Sequence, residues 1–117
     1  MRSFLHPPPD ELTLPAVLHA LSDPARLMMF QRIVACEGMS CSQVCDVQPR
    51  STLSFNLRVL REAGLIRSEK RGKTVLNAAR WEELNQRFPG LLPAILDVAK
   101  AEGITPPERP AEQAPAA

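Results

Sequence analysis

The chain has 117 residues, 44% of them hydrophobic and 23% charged, with a formal net charge of +1. That length supports one hydrophobic core rather than two, and the composition is ordinary for a globular protein. No apolar run reaches the roughly 18 residues that a membrane span needs, and the N-terminal residues do not form a secretory pattern. Three cysteines without such a pattern point to reduced thiols rather than a disulfide framework, so the expected setting is the cytoplasm.

Twelve prolines are many for this length, and eight of them fall within residues 1–15 and 106–117. The expected organisation is therefore a flexible arm at 1–11, a folded domain at 12–102 and a disordered Pro/Ala-rich tail at 103–117. Charge is unevenly distributed as well. Between Arg50 and Arg80 there are eight basic and two acidic residues, a net of +6, which leaves −5 for the rest of the chain. A basic segment within an otherwise acidic domain is the footprint of a surface that meets a polyanion.

In chain order, Thr13-Leu14-Pro15 is a capping threonine with a proline in the first turn, opening a helix through Val17, Leu18 and Leu21. Ser22 or Asp23 then caps a second helix from Ala25 to Cys36. It is apolar around so much of its circumference that a second subunit is expected to cover one side. Glu37-Gly38 stops it, and Ser40 caps a short helix from Cys41 to about Asp46. Pro49 separates that helix from another running from near Arg50 to Ala63, with Leu53, Leu57 and Leu60 along its buried stripe and Gly64 at its end.

Two short helices joined by a tight connector, the second basic and amphipathic, form the helix-turn-helix pattern. Two strands follow, Leu65–Glu69 and Thr74–Ala78, linked by Lys70-Arg71-Gly72-Lys73. A hairpin directly after a helix-turn-helix is a wing. The remaining elements are short helices at Trp81–Phe88 and Leu91–Ala101. The fold class is thus mainly α with a small β-hairpin, a winged helix-turn-helix.

The run Ala20-Leu21-Ser22-Asp23-Pro24-Ala25-Arg26-Leu27 resembles the entry motif of the ArsR/SmtB repressors. Ser51-Thr52-Leu53-Ser54, followed by Leu57 through Ile66, is similar to their recognition helix and its exit into the wing. The resemblance covers residues 12–100. It implies a homodimer paired through the first and last helices, binding operator DNA and repressing transcription. The connector from Cys41 to Ser51 resembles a short-connector branch without the usual metal-site motifs. Phe55-Asn56 departs from the histidine or glutamine common in this part of the family's helix.

In a helix-turn-helix, the N-terminal half of the second helix meets base edges in the major groove. Arg50, Ser51, Thr52, Ser54, Phe55 and Asn56 are the candidates. Arg50 suits guanine, and the hydroxyls suit a base edge or a phosphate. Phe55 falls on the exposed side, where its ring could meet thymine methyls; a small helix rotation would instead bury it. Arg58 and Arg61 are better placed for phosphates, and Lys70, Arg71 and Lys73 for the backbone or minor groove. A two-fold dimer calls for an inverted-repeat operator on double-stranded DNA and a steep salt dependence.

Cys41 and Cys45 share a helix face, and Cys36 could approach them across the Gly38 turn. Three such thiols could answer arsenite, a soft metal or an oxidant, or serve as small buried hydrophobes. The last helix offers Asp97 and Glu102 but no histidine, so no metal and no cofactor are expected. His19, beside apolar neighbours on the first helix, reads as a core or interface residue. An enzyme is not expected, since neither a nucleophile–base pair nor a phosphate loop is present. The competing binding reading is a winged-helix module whose basic face takes an acidic protein; the identity of any inducer is left open.

Overall fold

The computed structural model describes residues 4–36, 39–40 and 49–106. The short helix expected at Cys41–Asp46, and most of the C-terminal tail, lie outside them. A 3-10 turn at Pro9–Glu11 leads into α1, Leu14–Ala20. Its first turn is closed as expected: the Ala16 N–H donates to Thr13 Oγ1 at 3.3 Å. Asp23 caps α2, Pro24–Ala35, accepting from the N–H groups of Ala25 at 2.8 Å and Arg26 at 3.2 Å.

The third helix, α3, spans Arg50–Glu62 and follows Pro49. Gly64 ends it with φ +84°, and the Leu65 N–H returns to the Leu60 carbonyl at 3.0 Å. This six-to-one bond is the Schellman arrangement, which needs a left-handed residue at the position Gly64 occupies. The chain then forms an antiparallel hairpin of Ile66–Arg71 and Thr74–Ala79, followed by the helices α4, Trp81–Arg87, and α5, Leu91–Ala101.

The hairpin is longer and tighter than expected. Arg71 pairs with Thr74 in the register, so the turn is only Gly72-Lys73, with Gly72 at φ +62°. Lys70 and Arg71 therefore belong to a strand rather than the loop. The sheet also has a third member, the two-residue strand β1 at Met39–Ser40. It pairs through Met39 with Asn77 and through Ser40 with Leu76. Numbering the hairpin strands β2 and β3, the order is β1-β3-β2, which leaves β2 at an edge. Ser40, expected as a cap, pairs in the sheet, and the helix it was expected to cap lies outside the described residues.

The core gathers Leu12, Val17, Phe30, Ile33, Leu57, Leu60, Leu65, Ile66, Leu84 and Leu92, all nearly inaccessible. On α2, Arg26, Leu27, Met29, Phe30, Gln31, Arg32 and Ile33 are buried within the single chain. The second covered side of α2, assigned from the sequence to another subunit, is thus supplied by the chain's own elements, because α2 runs through the centre of the fold. Ile104, in the expected tail, donates its N–H to the Ala99 carbonyl at 2.8 Å and packs on the core.

Candidate nucleic-acid interface

The phase of α3 follows from its leucines. Leu53, Leu57 and Leu60 face the core, and this turns Arg50, Ser51, Thr52, Ser54 and Phe55 outward. Phe55 is 56% exposed, so the rotation that would have buried it is not present. Asn56 is the exception among the base-contact candidates. It is only 5% exposed, and its Oδ1 accepts from Arg26 Nη1 at 3.3 Å. Asn56 lies three residues after Leu53 and four before Leu60, so it shares their stripe and lies on the buried side of α3.

Arg26 is itself buried at the start of α2. Its Nε donates to the Ala20 carbonyl at 2.7 Å and its Nη2 to that of His19 at 3.4 Å. These carbonyls belong to the last turn of α1, the negative end of the helix dipole. One guanidinium therefore joins the end of α1, the start of α2 and the middle of α3, fixing how α3 is presented. The His19 side chain, expected in a core or interface, is exposed in the single chain.

The basic residues divide into two groups. Arg50, Lys70 and Lys73 are exposed with no ion pair among the described residues, while exposed Arg58 pairs with Glu62 at 3.4 Å and exposed Arg71 with Glu69. Arg61 and Arg80 belong to the scaffold. Arg61 is half-buried; its Nη1 donates to Ser68 Oγ at 3.2 Å, and its guanidinium lies 4.5 Å from the centroid of the Phe4 ring. Arg80, 4% exposed, holds Glu83 through Nε at 2.8 Å and Nη2 at 3.2 Å. Those bonds, reinforced by the charges of Arg80 and Arg67, hold the Glu83 carboxyl below its usual range against the opposing effect of burial.

A polar cluster that the sequence did not reveal braces the root of the hairpin. Ser68 and Asn77 face each other in the register, and Ser68 Oγ donates to Asn77 Oδ1 at 2.8 Å. The Ser68 N–H donates to His6 Nε2 at 3.0 Å. Residues read as a flexible arm thus lie against the hairpin. Of the thiols, Cys36 is exposed at the end of α2, and Cys41 and Cys45 lie outside the described residues.

An exposed polar helix face beside a basic hairpin is the arrangement of a winged helix-turn-helix DNA-binding protein. A family model described as a helix-turn-helix domain matches residues 21–69, from the end of α1 into β2. The uncharacterized HTH-type transcriptional regulator YceK of Bacillus subtilis (strain 168) is 30% identical over 87 residues, covering 71% of this chain and 86% of that protein. An ArsR-like transcriptional regulator from Rhodococcus sp. RHA1 superposes with a TM-score of 0.56 at 27% identity, covering 81% of this chain and 94% of the other. A predicted DNA-binding transcriptional regulator from E. coli shares the fold, with a TM-score of 0.57 at 24% identity over 72% of this chain and 86% of that one.

The chain belongs to the ArsR-like family of winged helix-turn-helix transcriptional regulators. It is a DNA-binding regulator, and the class is not enzymatic. No helix among the described residues is long and apolar enough to cross a membrane.

Proposed function

We propose that this regulator is a homodimeric, cytoplasmic repressor that binds an inverted-repeat operator, with α3 in the major groove and the wing on the adjoining backbone. The observation that carries the reading is the exposed face of α3. Arg50, Ser51, Thr52, Ser54 and Phe55 stand clear of the core, beside a hairpin whose end bears Lys70, Arg71 and Lys73. An acidic protein partner would not require hydroxyls and an aromatic ring at the start of a helix together with a cationic hairpin. Dimerisation is supported by apolar surface on the first and last helices: Leu14 and Leu18 on α1 and Val98 on α5 are exposed. A cavity of about 330 Å³ at Val98 is lined by Leu27, Leu91, Ala94, Ile95, Val98, Ala99, Glu102 and Ile104.

The test is fluorescence anisotropy of the reduced protein on DNA from upstream of its own gene, against unrelated DNA of equal length. Preference for the upstream fragment with a steep salt slope is expected; equal, weak binding to both would move the acidic-partner reading forward. Sedimentation of the free protein tests the dimer. The exposure of Cys36 favours one addition, a response of DNA binding to oxidant or arsenite. Cys36→Ser and Cys41→Ser should each blunt that response; an unchanged response in both would remove it.

A further inference from the structure

We propose that residues 4–12 form a strap across the root of the wing, latched by His6 and released when that imidazole takes a proton. The strap has a fixed end and a latched end. At the fixed end Leu12 is 1% exposed, and its carbonyl accepts from Arg87 Nε at 2.9 Å. Its side chain and Pro7 fill the space over Gly64, where no side chain intervenes. At the latched end Phe4 lies against the Arg61 guanidinium, and His6 Nε2 accepts the Ser68 N–H.

Ser68 belongs to β2, which among the described residues has a strand neighbour on one side only, so His6 supplies the partner an edge strand lacks. An accepting Nε2 must be unprotonated, so the latch works only with neutral His6, its proton on Nδ1. A second proton would set one donor against another. It would also place a cation facing Arg61 on α3, Arg67 on β2 and Arg80 before α4. The nearby Glu83 is already bonded to both Arg67 and Arg80. Burial first, then these three guanidiniums, hold His6 below its ordinary value of 6.5.

The latch is complete above 6.5 and is lost as the pH falls through 6.5 towards the lower folded-state value. Release is local, because Leu12 stays in the core and Pro7 over Gly64 while Phe4 to His6 lift. His6 thereby acts as a positioning residue for the wing and Arg61. Its consequence for DNA rests on the wing meeting the backbone, as proposed above.

The test uses the full chain. Without DNA, nuclear magnetic resonance follows the His6 ring and the exchange protection of the Ser68 amide, each corrected for intrinsic exchange, at pH 7.5 and 5.5. Protection in the wild type should drop about fivefold or more on acidification, the equivalent of one lost hydrogen bond. His6→Gln, with an acceptor oxygen near the Nε2 position and no titration, should keep protection at both pH values; His6→Ala should lack it at both. Protection that ignores both pH and His6→Ala, or a His6 titration at or above 6.5, would overturn the latch.

With the upstream and unrelated duplexes, wild-type affinity should weaken on acidification about fivefold more than that of His6→Gln. Superposable profiles on bound DNA would overturn the link to the wing. Absence of binding to either duplex, with the exchange result intact, would count against the DNA reading and leave the latch standing.

Discussion

The two ends of α3 are built in opposite ways. At its start, Arg50, Ser51, Thr52, Ser54 and Phe55 are exposed and have no polar partner among the described residues. At its end, Arg61 is drawn into a cluster with Ser68, Asn77, His6 and Phe4, joined by hydrogen bonds and a ring contact. Both ends are polar, so polarity alone does not separate a reading surface from a scaffold. Engagement does: polar groups bonded to one another favour one arrangement, whereas polar groups left to solvent are available to an incoming ligand. Arg26, between the two, sets the angle at which the open end is offered.

The sharpest way to break this division is at Arg26. Arg26→Leu should remove the buried guanidinium that donates to Asn56 Oδ1 and the Ala20 carbonyl, destabilising the fold by about 3 kcal/mol. Urea denaturation with an unchanged slope would show it. Loss of DNA binding should accompany the change even at temperatures where the variant is folded, because α3 loses its tether.

The glycines give a smaller and more local contrast. Gly64 and Gly72 both have positive φ. A Cβ at Gly64 would run into Leu12 and approach Pro7, while one at Gly72 would meet open space. Gly64→Ala should therefore destabilise by about 2 kcal/mol or more, and Gly72→Ala by about 1 kcal/mol, from backbone strain alone. Equal shifts in thermal midpoint would mean that the strap does not press on the helix exit.

Substitutions at the open end should leave stability within about 0.5 kcal/mol and act on DNA only. Arg50→Ala should reduce discrimination between the upstream and unrelated duplexes about tenfold, whereas Lys73→Ala should weaken both alike and flatten the salt slope. If Arg50→Ala weakens both duplexes equally, Arg50 contacts phosphate rather than a base.

What the sequence made legible was local. The caps at Thr13 and Asp23, the stop at Gly64 and the order of elements each depend on residues within a few positions of one another. Asn56 was legible too, from its spacing to Leu53 and Leu60, but its polarity argued for the surface; the buried donor that reverses this comes from Arg26, 30 residues away. β1 is only two residues long and carries no alternation to detect. The His6–Ser68 bond spans 62 residues, and no pattern in a proline-rich segment announces an acceptor for a sheet edge. The coverage of α2 escaped for a related reason: an all-round apolar helix says that it is surrounded, not by which chain.

The smallest effect is expected at Arg58, and it tests where the open end stops. Arg58 pairs with Glu62 at 3.4 Å, but both side chains are 66% exposed. A pair so wet contributes little, and Arg58→Gln should change stability by less than about 0.5 kcal/mol. On DNA the same arginine can exchange Glu62 for a phosphate oxygen, so the variant should lower the salt slope by about one for each half-site. Glu62→Gln should then strengthen binding slightly by removing the competing carboxylate. If Arg58→Gln leaves the salt slope untouched, the DNA-facing surface ends with the first half of α3 and resumes only at the wing, and Arg58 joins Arg61 on the scaffold side of the helix.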